Sequence, residues 1–267
     1  MPSMKMPRKY FEITAQELAK ASMYSIFDRP VRIIDEKGFD GENGDTPTVR
    51  VVAPSIKVIM PWKGEVENFR SFNYELEAIE NISFCGDTSS SEIDVRSENG
   101  SIRAESAAAH SFFSAPFGSI AIGSGEKNNF VGAPIQEAVE LTARNIYMGD
   151  LEGSHCYINA YRSLKMGSTG AKRIGDRQEI SAKHAHIREI GPNVDLEVKR
   201  SLLCNRLLGR LPEGSEPSSI SVGEDMLVAE FYEKGADVVC KGEKHFPQNA
   251  RPDFSAPNSA FLKAVHA

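Results

Sequence analysis

The chain is short of the residues that announce most chemistries. It has four cysteines in 267 residues, Cys85, Cys156, Cys204 and Cys240, with no CxxC or CxxH pair. A zinc framework therefore has no ligands at the required spacing. The cysteines sit beside apolar residues, as in Ile82-Ser-Phe-Cys85 and Val238-Val-Cys240, and read as buried reduced thiols. No stretch approaches the roughly 18 apolar residues of a membrane helix. The basic segment Met1–Lys9 is not followed by an apolar run, so it is not read as a secretory signal. Basic residues are outnumbered, 31 to 37, for a net charge of −6. That excludes a broad nucleic-acid-binding face and leaves room for a local patch. There is no GxxxxGK[ST] or GxGxxG between a strand and a helix, so no nucleotide site is expected. A cytoplasmic protein without a cofactor is the expectation.

Apolar residues make up 40% of the chain and charged residues 25%, an ordinary globular composition. At this length about 73% of the extended-chain surface can be buried. Thr14 with Glu17 three residues on is a capping box. It predicts a helix running to about Phe27, with Leu18, Met23 and Ile26 on one face and Pro30 as its stop. Val31–Ile34 is a short strand, and Lys37–Pro47 a loop rich in Gly, Asp and Asn.

From Thr48 the texture changes to short units of the form apolar-x-apolar or apolar-x-small. Examples are Leu76-Glu-Ala78, Ile93-Asp-Val95, Leu141-Thr-Ala143, Ile158-Asn-Ala160 and Ile180-Ser-Ala182. Asn99-Gly-Ser-Ile102 and Phe117-Gly-Ser-Ile120 are near-copies, eighteen residues apart. From Ile120 further apolar marks fall at Val139, Ile158, Ile174 and Val194. Steps of 16–20 with three-residue strands predict a parallel β-solenoid, whose turns bury their side chains only by stacking. The all-β alternative is an antiparallel sandwich, in which Asn99-Gly100 makes a hairpin turn. The expected layout is an N-terminal arm and capping helix over 1–47, a solenoid over 48–242, and a C-terminal strap with a short helix over 243–267. In that strap Phe246 and Phe254 act as pins, and Asn258 caps Ala260–Val265.

Several groupings were weighed for chemistry. His184 and His186 lie on one face of a strand, half of a metal site, with nothing in the sequence to complete it. His155 and Cys156 are neighbours that point to opposite faces, so they form no dyad. Asp87, Asp94, Arg96 and Arg103 are the charges that adjacent solenoid turns would cluster for polysaccharide cleavage, as are Asp150, Arg173 and Asp176. The six-residue repeat of left-handed hexapeptide acyltransferases breaks after two or three units. The run Val222–Phe246, with Asp225 and Glu243, faintly resembles the end of PIN-type ribonucleases but lacks an early Asp to complete a metal cluster. No catalytic, cofactor-binding or metal-ligating residue is assigned.

The segment Leu141–Cys240 resembles the rungs of bactofilin-type polymer-forming β-helix proteins, through units such as Asn145-Ile-Tyr-Met-Gly-Asp-Leu-Glu-Gly and Gly235-Ala-Asp-Val-Val-Cys-Lys-Gly242. The paired Gly-Ser-Ile units resemble repeats of adhesin-like solenoids. The resemblance implies a non-catalytic cytoplasmic scaffold whose partner is a further copy of itself or another protein. The chain departs from that pattern in its helical N-terminal segment, its irregular steps and its basic inserts Lys172-Arg173 and Lys199-Arg200. The competing class is a hydrolase or lyase acting on carbohydrate from a charged groove.

Overall fold

Every strand pairs with its neighbours in parallel, and this decides for the solenoid against the antiparallel sandwich. The computed structural model describes residues 10–21, 23–39, 46–62, 65–66, 69–123, 138–151, 153–170, 177–207, 217–231 and 236–245. The N-terminal elements are β1 (Phe11–Thr14), α1 (Ala15–Ala19), β2 (Ser25–Ile26), β3 (Val31–Ile34), β4 (Thr48–Ala53) and β5 (Ile56–Ile59). There follow β6 (Asn73–Ala78), β7 (Ile82–Cys85), β8 (Ile93–Ser97) and β9 (Ile102–Ala104). Four long strands come next: β10 (Phe112–Ile122), β11 (Glu140–Met148), β12 (Cys156–Thr169) and β13 (Gln178–Ile190). The stack ends with β14 (Val194–Val198), β15 (Leu202–Leu207), β16 (Ser218–Val222), β17 (Met226–Phe231), β18 (Ala236–Cys240) and β19 (Lys244–His245).

These strands form two ladders that meet at a corner. One runs β2, β4, β6, β8, the first halves of β10 to β13, then β14, β16 and β18. The other runs β1, β3, β5, β7, β9, the second halves of β10 to β13, then β15, β17 and β19. We call them ladder one and ladder two. The four long strands turn the corner without a break and supply a rung to each.

Because strands alternate inward and outward residues, the register fixes whole rows. One inward row of ladder one reads Val51, Leu76, Val95, Phe113, Leu141, Ile158, Ile180, Leu196 and Ile220, paired one after another and all buried. Each such aliphatic side chain taken from water contributes about 1.5–3 kcal/mol. The next inward row, nearest the corner, includes Ala53, Ala78, Ala115, Ala143, Ala160 and Ala182. The small residue of the apolar-x-small unit is thus the inward residue next to the corner, and at Val198 and Val222 the same row takes a larger side chain.

The corner also explains the paired Gly-Ser-Ile units. Ile102 and Ile120 pair in register, eighteen residues apart as expected. A Cβ on Gly118 would lie 1.7 Å from the Gly100 carbonyl oxygen, and one on Gly100 would lie 2.2 Å from the Glu80 carbonyl carbon. The stacked corners touch backbone to backbone, and only glycine fits.

The other steps are less regular than the sequence suggests. Ile120 pairs with Ile146, twenty-six residues on, and Ala185 with Leu202, seventeen on. Val139 is buried just before β11, and the rung after Ile158 is marked by Ile180. Ile174 lies outside the described residues, as do the arm over 1–9, Arg173, Asp176 and the strap from Phe246 onward.

The stack extends beyond the expected limits at both ends. β1, β2 and β3 belong to the ladders, so rungs begin at Phe11. β19 adds a rung past Gly242. The capping box of α1 is present, with the Glu17 amide donating to Thr14 Oγ1 at 3.2 Å and the Thr14 amide to Glu17 Oε2 at 3.1 Å. The helix stops at Ala19 and does not reach Phe27. The exposed edge of β4 recruits the following residues instead. Ser25 and Ile26 pair with Val51 and Val52, and the Phe27 amide donates to the Val52 carbonyl at 2.9 Å. Met23 and Ile26, expected on the buried helix face, are therefore exposed. Ala15 and Leu18 are buried, and α1 packs against β4 at this end of the stack.

One carboxyl group is enclosed in the core. Asp35 accepts from the Tyr74 hydroxyl at 2.6 Å and from the Gly38 amide at 3.1 Å, and both Asp35 and Tyr74 are buried. Burial raises the Asp35 pKa above its ordinary value, although the bonds from Tyr74 and the Gly38 and Phe72 amides oppose this. A raised folded pKa favours the protonated form. Stability from this group is therefore full below the unfolded value of about 3.9 and falls as pH rises through the folded value. Tyr74→Phe is expected to cost about 1–3 kcal/mol in urea denaturation, with the larger loss at neutral pH, where the carboxylate is charged. Asp35→Asn should remove this fall, so that the variant loses less stability than the wild type as pH rises from about 4 to neutral. Gly118→Ala should destabilise by about 1–3 kcal/mol or more, as overpacking against backbone does.

Candidate interaction surfaces

The segments that return from ladder two to ladder one line the interior with small polar groups. The Thr88 hydroxyl donates to the Ser106 carbonyl at 2.8 Å, Ser111 Oγ accepts from the Ile93 amide at 3.2 Å, and Ser218 Oγ accepts from the Val194 amide at 3.1 Å. Gln178 is buried with every capacity of its amide used. It donates to the Leu151 and Gly153 carbonyls and accepts from Thr169 Oγ1 and the Gly170 amide. These groups tie rung to rung. All are satisfied internally, so they are architecture.

The weighed groupings fall in different places. His184 and His186 both face outward on β13, as strand spacing requires. His184 shares a hydrogen bond of 3.0 Å with Ser201 Oγ. Burial and the neighbouring Lys183, Arg200 and Arg162 hold its pKa below the usual histidine value. Among the described residues no group of three His, Cys, Asp or Glu converges as metal ligands. His155 is exposed, whereas Cys156 is buried with Sγ towards the Ser154 carbonyl at 3.5 Å, so the two diverge as expected.

Asp94 and Arg96 stand together on the outer face of ladder one, 3.7 Å apart, and Arg96 lies over the Phe112 ring. Arg103 faces outward from ladder two, and Asp87 lies in a return segment, where it accepts from the Ser89 amide at 2.9 Å. The four charges occupy three different sides of the solenoid and do not form a groove. Asp150 accepts from the Ser168 amide and from Arg188, each at 2.7 Å. Asp225 Oδ1 accepts from the Glu243 amide at 3.1 Å. Asp225 leads into strand β17, so no helix starts there as the ribonuclease likeness requires.

The outer faces instead carry ladders of alternating charge. Arg206 bridges Glu189 and Glu230 on the rungs either side, both at 3.1 Å. Arg50 pairs with Glu75 at 2.8 Å, and Arg177 pairs with Asp195. Sequence reading missed these partners because they lie 17 to 25 residues apart. With unequal turns, only the register reveals which residues meet.

The corner row breaks this alternation. Opposite one another at successive rungs stand Arg144, Tyr161 with Arg162, Lys183, and Lys199 with Arg200. The Arg200 amide donates to the Lys183 carbonyl at 2.9 Å, which stacks these two cations directly. Among the described residues only Arg200 of the five cations makes an ion pair, with Glu224 at 3.5 Å. The Lys199-Arg200 insert is the single part of this row visible in the sequence as a basic cluster.

Comparison of the chain with protein-family models, with characterised proteins and with solved structures gave no match. Among the described residues no helix is long and apolar enough to cross a membrane.

None of the four cysteines forms a disulfide, and Cys156 and Cys204 are buried. Burial pushes the Cys204 thiol up to about 12, and thiolate is the reactive form. Iodoacetamide at pH 8 should leave Cys204 unmodified in the native protein and modify it in urea, as read by peptide mass spectrometry.

Proposed function

We propose that the protein is a non-catalytic structural scaffold of the cytoplasm that binds a protein partner or further copies of itself through the faces of its solenoid. The observation that carries this reading is the surface organisation. Two continuous faces present in-register rows of outward side chains along the stack, and among the described residues no strand pairs with the far edge of β18. Within β18 the inward residues Ala236, Val238 and Cys240 are only half-buried, and outward Val239 is 62% exposed. Their counterparts one rung earlier, Ser218, Ile220 and Val222, are fully buried. A parallel sheet edge with half-covered apolar residues favours association, because each added strand satisfies backbone groups and buries apolar area.

The carbohydrate-cleaving alternative draws no support from the placement of Asp87, Asp94, Arg96 and Arg103. A scaffold has no need for convergence. It needs area and order, and the ladders supply both.

Size-exclusion chromatography with light scattering, followed by negative-stain imaging, tests the self-assembling form. Oligomers or filaments are the expected result. Charge swaps on the outer faces should change assembly while leaving the thermal midpoint nearly constant. A monodisperse monomer at all concentrations would remove self-assembly from the proposal.

A further inference from the structure

The corner row from Arg144 to Arg200 places five cations on four successive rungs. Rungs stand about 4.8 Å apart, so the row is roughly 14 Å long. Like charges stacked at this spacing repel, and on the outer faces the chain pairs such residues with acids from neighbouring rungs. Here the repulsion is left in place. Arg144, Lys199 and Arg200 are exposed, Arg162 and Lys183 are partly exposed, and Tyr161 stands among them 51% exposed. Burial first, then Lys183, Arg200 and Arg162, hold the His184 pKa below the usual value against the opposing charge of Glu224.

The row is also bounded. Glu224 follows Arg200 at the next rung, its amide donating to the Arg200 carbonyl at 2.9 Å. On the other side the neighbouring corner carries exposed Phe117, and exposed Glu98 stands one rung beyond it. The outer row of ladder one next to the corner is polar, Thr142, Asn159 and Ser181 with the acid Glu197, and the outer row beyond it carries Glu140, Glu179 and Asp195. A polymer with an anion at every repeat, such as a nucleic acid or a polyuronate, would run onto these acids. A peptide can place carboxylates only where the cations stand.

We propose that this corner row docks an acidic helical segment of a protein partner. Glu or Asp side chains at i, i+3 or i+4 and i+7 line one face of a helix and advance about 5.4 Å per turn. Three turns cover about 16 Å against about 14 Å for three rung steps. Long Arg and Lys side chains absorb that mismatch. Tyr161 offers the apolar contact beside the charges that such a helix needs to be held face-on. This inference rests on the scaffold reading in that its partner is a protein, and it names the surface and the chemistry that recognise it.

The test uses the full chain and a fluorescein-labelled Ala-based peptide of about sixteen residues, long enough to populate helix, with glutamates along one face. A second peptide has the same composition with its glutamates spread around the helix. Oligothymidylate and polygalacturonate form two further arms. Fluorescence anisotropy at low salt should show the one-faced peptide bound more tightly than its isomer. Arg162→Glu with Lys199→Glu should weaken it about tenfold or more, as should salt raised well above the physiological level. The milder pair Arg144→Gln with Lys199→Gln, both at exposed positions, should weaken it in the same direction. Circular dichroism confirms that each variant is folded. Binding that ignores these substitutions, absence of binding, or equal binding of the two peptides overturns the proposal. So does a substitution-sensitive preference for oligothymidylate or polygalacturonate, which would make the row a general polyanion site. A protein that assembles in light scattering yet binds neither peptide leaves the scaffold reading standing and removes only this inference.

Discussion

A rung of this solenoid cannot satisfy its own backbone. Its strands are short and parallel, and each amide and carbonyl along the stack finds its partner in the rung before or after. Unpaired backbone groups in an interior cost about as much as lost hydrogen bonds, so rungs must stack in register or not at all. From that constraint the rest follows. Stacking in register puts equivalent positions in rows, and a row is either wholly inward or wholly outward. The row from Val51 to Ile220 is apolar throughout because one polar member would face the side chains of both neighbours. The row beside the corner is alanine from Ala115 to Ala182, where the long strands turn the corner, and becomes valine at Val198 and Val222, where separate strands supply the two ladders.

The same constraint explains why turns of unequal length coexist in one regular stack. Between ladder-two rungs the chain uses eighteen residues from Ile102 to Ile120 and twenty-six from Ile120 to Ile146. The extra residues fall between strands β10 and β11, where register is not set. Loop entropy grows slowly with length, by about 0.6 kcal/mol per doubling, so insertions there cost little. An insertion within a strand would turn the inward row outward, and the long strands take extra residues only as bulges at the corner.

The legible part of the fold was what repeats locally. Apolar-x-small units, the two Gly-Ser-Ile corners and the Thr14–Glu17 box each state a geometry within a few residues, and the structure contains all three. What depends on a partner in the next rung was not legible. The helix was read through to Phe27 because Met23 and Ile26 fit its face, but the edge of β4 needed a strand, and that need is invisible twenty-five residues upstream. Regular stepping from Ile120 led to Val139 and Ile174, because a sequence carries no mark for the rung at which an insertion falls. Asp35 and Tyr74 meet across 39 residues, and neither neighbourhood hints at the other. The same reason hid the surface. Arg144, Arg162 and Lys183 are single cations in unremarkable strands, and they become a row only when the bulges at the corner are aligned.

That row shows how a solenoid separates stability from recognition. Inward rows and the hydroxyl and glutamine bonds of the return side hold the stack and leave little freedom of residue choice. Outward rows on the flat ladders are coupled to both neighbours, and there opposite charges alternate, as in Glu189, Arg206 and Glu230. At the corner the register shifts, and Lys183 and Arg200 stand on hydrogen-bonded neighbouring rungs with no acid between them. Among the described residues only Arg200 of this row is ion-paired, so the field of the other four cations is not cancelled by pairing. A stack obliged to repeat itself inside can vary along this outer edge, and a run of like charge that ends at Glu224 on one side and at Phe117 on the other is a variation with a defined length.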